Sequence, residues 1–411
     1  MKIGILTYHC PPNFGAQLQV TSTVGYLRRN GFEPVVLNWY AKDLEEMYSK
    51  RIPTEQVECH NRYAQEALPL SKKCQSEDDL IEEINTLDLD AIIVGSDALF
   101  KYVPLKKRRI FSFRKLKYVD LKNTLSCELL DDNPFFGSFI SHLKKKIPAS
   151  VYAVSSQNCP YKLMTREERQ TMANFLSNYQ LITVRDVWTK QMIENITNRT
   201  NVRINPDPVF SFNNNCYLPI PSKEEILKKF ELEKNYVLFS FRDKFIRAEY
   251  IKAIADQVEE KGLQAVGLPM PEGVFETNIP KQIPQPLSPI DWYALIIHSK
   301  GYIGERMHPI VVCLHNAIPF FSFDEYGFKQ KKSFFSRELV YNPVSSKTYV
   351  IVRDAGFLKN LYSYQGNERH PNANHVVDAL LSFDIEKCKV FASSKRQEYE
   401  TAMEEIIHSL I

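Results

Sequence analysis

No two of the eight cysteines, Cys10, Cys59, Cys74, Cys127, Cys159, Cys216, Cys313 and Cys388, form a C-x-x-C pair. Their scatter leaves no readable zinc site or dithiol redox motif and predicts free thiols in a reducing cytoplasm. No apolar run approaches the roughly 18 residues that a membrane-spanning helix needs. Met1-Lys2 passes straight into the strand-like Ile3-Gly4-Ile5-Leu6, so no secretory leader is expected. A dominant charge is missing as well: the formal net charge is +3 over 411 residues, which argues neither for nor against a polyanionic partner. No G-x-G-x-x-G follows the first strand-like segment, which leaves a dinucleotide site unsupported. No short-period repeat is visible.

What remains is an ordinary globular composition, 44% hydrophobic and 25% charged, on a chain long enough for two cores. Strand-like and helix-like segments alternate, as in α/β proteins with parallel sheets. Strands are predicted at 2–7, 34–37, 91–94, 150–154, 181–184 and 202–204, with helices at 15–29, 77–87, 165–177 and 187–196; the pattern blurs between 41 and 73. Residues 207–222, with Pro208, Pro219, Pro221 and the run Asn213-Asn214-Asn215, read as a connection. The alternation then restarts, with helices at 224–230, 247–261, 290–298 and 309–315 and strands at 236–240, 263–267, 301–303 and 318–321. A charged helix is expected from about 385 to 411. These segments predict two Rossmann-like domains, 1–212 and 213–384, facing one another across a cleft, with the last helix, 385–411, packing back on the first domain.

Several residues fall where such a fold binds ligands. Gly301-Tyr302-Ile303-Gly304-Glu305-Arg306-Met307-His308-Pro309 reads as an apolar strand running into Arg-x-His at a helix start, with Lys329 farther on. A helix N-terminus carries a partial positive charge, so Arg306, His308 and Lys329 together suggest an anion site. An imidazole at His308 suits acid/base work, although a lone His in an apolar setting is more often a core residue. Arg185 and Arg242 each follow an apolar strand, one in each domain. They can clamp a small polyanion by bidentate forks or pair locally with carboxylates. Asp97, in Gly95-Ser96-Asp97, can orient or deprotonate an acceptor hydroxyl, or simply cap the next element. Asn13 and Gln17, in Asn13-Phe14-Gly15-Ala16-Gln17-Leu18, can hold a ligand hydroxyl or serve as cap and packing.

Between Lys101 and Lys117 stand eight basic residues and no acidic one, interleaved with Tyr102, Phe111 and Phe113 and followed by Tyr118. An anionic membrane surface, a single-stranded nucleic acid, or nothing but solvent are the open readings of that segment.

Taken together and in this order, the motifs Asn13-Phe14-Gly15-Ala16-Gln17-Leu18-Gln19, Asp90-Ala91-Ile92-Ile93-Val94-Gly95-Ser96-Asp97, Ile182-Thr183-Val184-Arg185-Asp186, Asp207-Pro208-Val209-Phe210 and Gly304-Glu305-Arg306-Met307-His308 through Ala317-Ile318-Pro319 to Lys329 resemble the polysaccharide pyruvyl transferase family. The chain departs from the family's pattern at Ala98-Leu99-Phe100, where an amide commonly follows Gly-Ser-Asp, and at Ser155-Ser156-Gln157-Asn158, which lacks a glycine.

The resemblance implies a glycosyltransferase-B-like fold and transfer of pyruvate from phosphoenolpyruvate onto two hydroxyls of a sugar as a cyclic ketal. Such chemistry serves cell-surface polysaccharide, capsule or exopolysaccharide, with the acceptor expected on a lipid-linked precursor. Phosphoenolpyruvate would be a co-substrate, with no metal or other cofactor. Arg185, Arg242, Arg306 and Lys329 would bind the donor, Asn13, Phe14 and Gln17 the acceptor, and His308 would move protons with Asp97 as a second candidate. The enzyme is expected in the cytoplasm, peripheral to the membrane if 101–118 touches it, with no nucleic acid bound. The rivals are a nucleotide-sugar glycosyltransferase of the same fold and a non-catalytic glycan- or nucleic-acid-binding protein.

Overall fold

The computed structural model describes residues 1–120, 125–131, 133–242, 246–273, 277–324, 346–363 and 370–411. Two six-stranded, wholly parallel sheets organise them. The first contains β1 (Lys2–Leu6), β2 (Glu33–Val36), β3 (Ala91–Asp97), β6 (Ala149–Val154), β7 (Ile182–Val184) and β8 (Arg203–Ile204) in the order β2-β1-β3-β6-β7-β8. The second contains β9 (Tyr236–Ser240), β10 (Gln264–Gly267), β11 (Lys281–Gln282), β12 (Gly301–Gly304), β13 (Phe320–Asp324) and β14 (Leu361–Ser363) in the order β11-β10-β9-β12-β13-β14. A separate antiparallel pair, β4 (Arg109–Ser112) and β5 (Lys117–Asp120), forms a hairpin within the basic segment.

The central strand runs, such as Ala91 to Val94 in β3 and Tyr236 to Phe239 in β9, are short and continuously apolar because helices cover both faces. Ile92 and Val94 point into one core with Leu6, Leu37 and Val151, while Ile93 joins Ile3, Ile5, Val20 and Val24 in the other. The C-terminal helix, Ile385–His408, closes that second face: Tyr399, Met403, Ile406 and Ile407 are buried in it, and Tyr399 meets Tyr26 and Tyr152 edge to face at ring distances of 5.6 and 5.8 Å. Arg29 of the first helix, Phe14–Arg29, holds Glu400 at 2.7 Å.

The first helix also reaches the second sheet. Phe14 and Leu18 are buried with Trp292, Ile310 and Leu314, and Phe14 stacks on Trp292 at 5.2 Å with 12° between the rings. Two helices fall where the sequence pattern blurs, Lys42–Ser49 and Thr54–Ala67. In the second of these, Gln56 and His60 are fully buried, and the Gln56 amide donates to the Leu287 carbonyl and accepts from the Leu287 amide, both at 2.8 Å. Polar residues on the buried face hide the apolar period that would reveal the helix. No helix among the described residues is long and apolar enough to cross a membrane.

Candidate functional site

In each sheet the strand order reverses beside its first strand, and the crevice outside the carboxyl ends at such a reversal is where open α/β sheets bind ligands. The two reversals, β1/β3 and β9/β12, face each other across a cleft of about 290 Å³. Tyr8 and Asn13 follow β1, Asp97 ends β3 with Lys101 beyond it, Ser240 ends β9, and Glu305 and Arg306 follow β12; all line the cleft.

Three helix N-termini meet there. Phe14, Gly15 and Ala16 begin the first helix, Met307 and His308 begin Met307–Asn316, and Lys347 begins Lys347–Asp354. Asn13 caps the first by accepting from the Ala16 amide at 3.2 Å, and Ser346 caps the third by accepting from the Tyr349 amide at 3.1 Å. The positive ends of three helix dipoles therefore border one small volume, an arrangement that favours anions.

His308 lies against the first helix. A Cβ on Gly15 would stand 2.0 Å from its Cγ and 2.1 Å from its Nδ1, so only glycine lets imidazole and backbone approach this closely. Part of the ring borders the cleft, yet Nε2 is shut from solvent and has no hydrogen-bond partner among the described residues. Burial lowers the His308 pKa to about 4; the carboxylates of Asp97 and Asp207 oppose that shift, and Arg185 and Lys347 add to it. The imidazole is thus neutral at neutral pH, with one nitrogen unsatisfied.

Asp97, 5% exposed, has its pKa taken down to about 2: burial alone would raise it, but His308 when protonated, Arg185 and Lys347 outweigh burial. Its backbone sits at φ 133°, where L side chains are rarely found. Its Oδ1 accepts from the Ala98 amide at 2.6 Å and from Arg185 at 3.3 Å. So acidic a carboxyl is a poor base and a durable negative charge.

The other residues singled out from the sequence divide by location. Arg185 does not reach the cleft lining. It is buried, bridging Asp97 and, at 2.6 Å, Asp207, which also accepts from Gln19 at 2.6 Å; its charge is spent on two carboxylates. Arg242 is also outside the lining; its amide donates to Glu305 at 2.7 Å and its guanidinium lies 3.8 Å from the same carboxylate. Gln17 is wholly buried, donating to the His9 carbonyl at 2.6 Å, and so shapes the loop after β1 from behind. Asn13, Phe14, Asp97, Arg306 and His308 do come together on the lining. Phe14 is mostly engaged with Trp292, and Arg306 reaches Glu272 at 3.3 Å with about a third of its side chain exposed. Lys329 lies outside the described residues.

One cation was not anticipated. Lys347 lines the cleft and has no ion-pair partner among the described residues. Burial lowers its pKa to about 8, with Arg185 lowering it further and Asp97 and Asp186 opposing. The only local signal is the serine before it, a helix cap. Lys101, noted only as part of the basic run, also lines the cleft, 2.9 Å from Glu128, which accepts in turn from the Tyr8 hydroxyl. No group of three or more His, Cys, Asp or Glu among the described residues is disposed to hold a metal.

A family model described as polysaccharide pyruvyl transferase matches residues 13–325. Among solved structures, the chain is similar to Arabidopsis thaliana UGT89C1 complexed with UDP (11% identity, TM-score 0.52, all of both chains covered). It is similar also to S. aureus MnaA in a co-structure with UDP (12%, TM-score 0.52, 99% of this chain and 95% of that one). Anabaena Alr3699/HepE in complex with UDP is comparable (11%, TM-score 0.51, 99% and 100%). At these identities the likeness shows the fold, glycosyltransferase-B-like with two parallel sheets. No curated protein matches the chain in sequence.

Proposed function

The chain belongs to the polysaccharide pyruvyl transferase family, and from that premise we propose that it moves pyruvate from phosphoenolpyruvate onto two hydroxyls of one sugar, as a cyclic ketal, on a lipid-linked precursor of a cell-surface polysaccharide. The observation that carries the reading is the meeting of three helix N-termini with Arg306, Lys347 and His308 in one cleft. The donor's phosphate, about −1.5 to −2 by analogy with phosphorylated side chains, and its carboxylate call for such a concentration of positive charge. Arg306 and Lys347 bind the donor in this reading, with the helix termini completing the cradle.

His308 delivers the proton. Before any donor charge is added it is neutral, its pKa held to about 4 by burial. A unit negative charge about 4 Å away at an effective dielectric near 20 is worth about 4 kcal/mol, roughly three pKa units, enough to bring its titration into the neutral range once the donor is seated. Protonation of C3 makes C2 electrophilic, a first sugar hydroxyl adds there, and phosphate leaves. The second hydroxyl then attacks C2 and closes the ketal. Of the two hydroxyl protons released, one replaces that given to C3 and the other departs with phosphate. His308 takes the returning proton, because Asp97 at a pKa of about 2 is too weak a base; Asp97 instead stabilises the imidazolium. Asn13, exposed at the cleft edge, meets the acceptor in this reading.

The test is incubation with phosphoenolpyruvate and a panel of lipid-linked and synthetic glycosides. Release of phosphate with a product mass gain of pyruvate minus water is expected. Stabilisation by a nucleoside diphosphate but not by phosphoenolpyruvate, with no such product, would overturn the reading.

A further inference from the structure

No described residue of the β4–β5 hairpin lines the cleft, yet the hairpin gathers several large exposed hydrophobic side chains in one short segment. Phe111 pairs across the strands with Tyr118, and Ser112 with Lys117. Phe111 meets Phe113 and Tyr118 edge to face at 5.3 and 5.4 Å, yet this cluster is open to solvent: Phe113 is 84% exposed, Leu116 78% and Tyr118 71%. Lys106, Lys107, Arg109, Arg114, Lys115 and Lys117 are all exposed around it.

The base of the hairpin, by contrast, is anchored. Arg108 is buried and bound to Glu168 at 3.1 Å and to the Tyr102 hydroxyl at 2.9 Å, and Glu168 also accepts from the Leu105 amide at 2.7 Å. An apolar tip ringed by cations on a fixed stem meets the requirement of a water–lipid boundary, where aromatic and aliphatic side chains enter the headgroup layer and Lys and Arg face anionic phosphates. A single-stranded nucleic acid is served less well. Stacking platforms expose aromatic faces along a groove, whereas these rings pack edge to face on one another and Leu116 offers no ring.

We propose that the β4–β5 hairpin docks the enzyme on a bilayer surface carrying anionic lipid headgroups, with Phe113 and Leu116 entering the interface and Arg114, Lys115 and Lys117 pairing with phosphates. The short helix Leu105–Arg108 links the hairpin to Lys101 on the cleft lining. If the acceptor is lipid-linked, as in the function proposed above, docking brings its sugar to the cleft mouth; the docking itself does not depend on that reading.

The experiment is co-sedimentation of the full chain with phosphatidylcholine vesicles, with and without phosphatidylglycerol, at low and high salt. It compares the unaltered protein with Phe113→Ser/Leu116→Ser and with Arg114→Gln/Lys115→Gln/Lys117→Gln. The unaltered protein is expected to sediment with phosphatidylglycerol vesicles only and to be released by salt. Each variant should lose roughly tenfold or more in partitioning, since three surface charges or two inserted side chains are removed. All substituted residues are exposed, so the far-UV spectrum and melting temperature should not change, and transfer to a short soluble glycoside should persist. Absence of vesicle binding by the unaltered protein, or equal binding by both variants, overturns the proposal. So does loss in the variants of binding to a single-stranded RNA while vesicle binding is kept. Vesicle binding without pyruvyl transfer to any glycoside would overturn the proposed function and leave the docking standing.

Discussion

Gly15→Ala is the smallest change that tests the core of the site. The added methyl would stand 2.0 Å from His308 Cγ, and an ordinary contact begins near 3.4 Å, so the ring must retreat by about 1.4 Å. The main chain of the first helix cannot yield readily, because Phe14 is stacked on Trp292 and the Gln17 and Gln19 side chains are each bonded at 2.6 Å. Overpacking of this kind costs about 1–3 kcal/mol, offset by about 0.5–1 kcal/mol because alanine suits a helix better than glycine. The fold should therefore survive while the imidazole moves outward. Misplacement of a reacting group by about 1 Å can lower turnover roughly 100-fold.

Two measurements separate this from general damage. Burial holds the His308 pKa at about 4, so a ring pushed toward water should titrate closer to 6.5 when followed by NMR. In a cycle with His308→Ala, the double variant should be no slower than His308→Ala alone, since the methyl acts only through the ring. Unchanged titration of His308 in Gly15→Ala, with turnover within a fewfold of normal, would refute the placement of His308 at the chemistry.

Lys347→Gln should raise the donor KM roughly ten- to a hundredfold, the worth of a charge-assisted contact of about 1.5–3 kcal/mol. Because the Lys347 pKa is lowered to about 8, its charge is present below that value and lost above it. Donor affinity of the unaltered enzyme should accordingly decline as pH rises through 8, and this limb should be absent from Lys347→Gln. Donor binding near pH 6 should take up a proton at His308, detected by calorimetry in buffers of different ionisation enthalpy and missing in His308→Gln. Arg185→Met should destabilise the fold by about 3–5 kcal/mol in urea titration by leaving Asp97 and Asp207 buried without their cation. A variant that instead kept its stability and lost only donor affinity would return Arg185 to the donor clamp.

Much of the architecture was readable because parallel strands buried on both faces are continuous apolar runs: Ala91 to Val94 and Tyr236 to Ser240 announce themselves, and the site residues follow from the ends of such runs. Less was readable wherever a polar residue is buried or an apolar one exposed. Helix Thr54–Ala67 turns Gln56 and His60 inward, and the hairpin turns Phe113 and Leu116 outward. Lys347 enters the cleft from a connection whose sequence carries no motif beyond a capping serine.

Arg185 shows the limit most sharply. Its position just past β7 is the same whether it faces a ligand or Asp207, and the decision rests on a contact 22 residues away in sequence. Once it is buried between Asp97 and Asp207, an arriving phosphate would have to compete with two carboxylates for its charge. A guanidinium so placed better serves the frame: it ties β7, the end of β3 and, through Asp207 and Gln19, the first helix into one buried network. That network holds Asp97 charged near His308 and fixes the helix whose Gly15 the imidazole touches. Among the described residues, the cations on the cleft lining are Lys101, held by Glu128, Arg306 on a partly exposed pair, and Lys347 without a pair, and in the function proposed above the last two meet the donor.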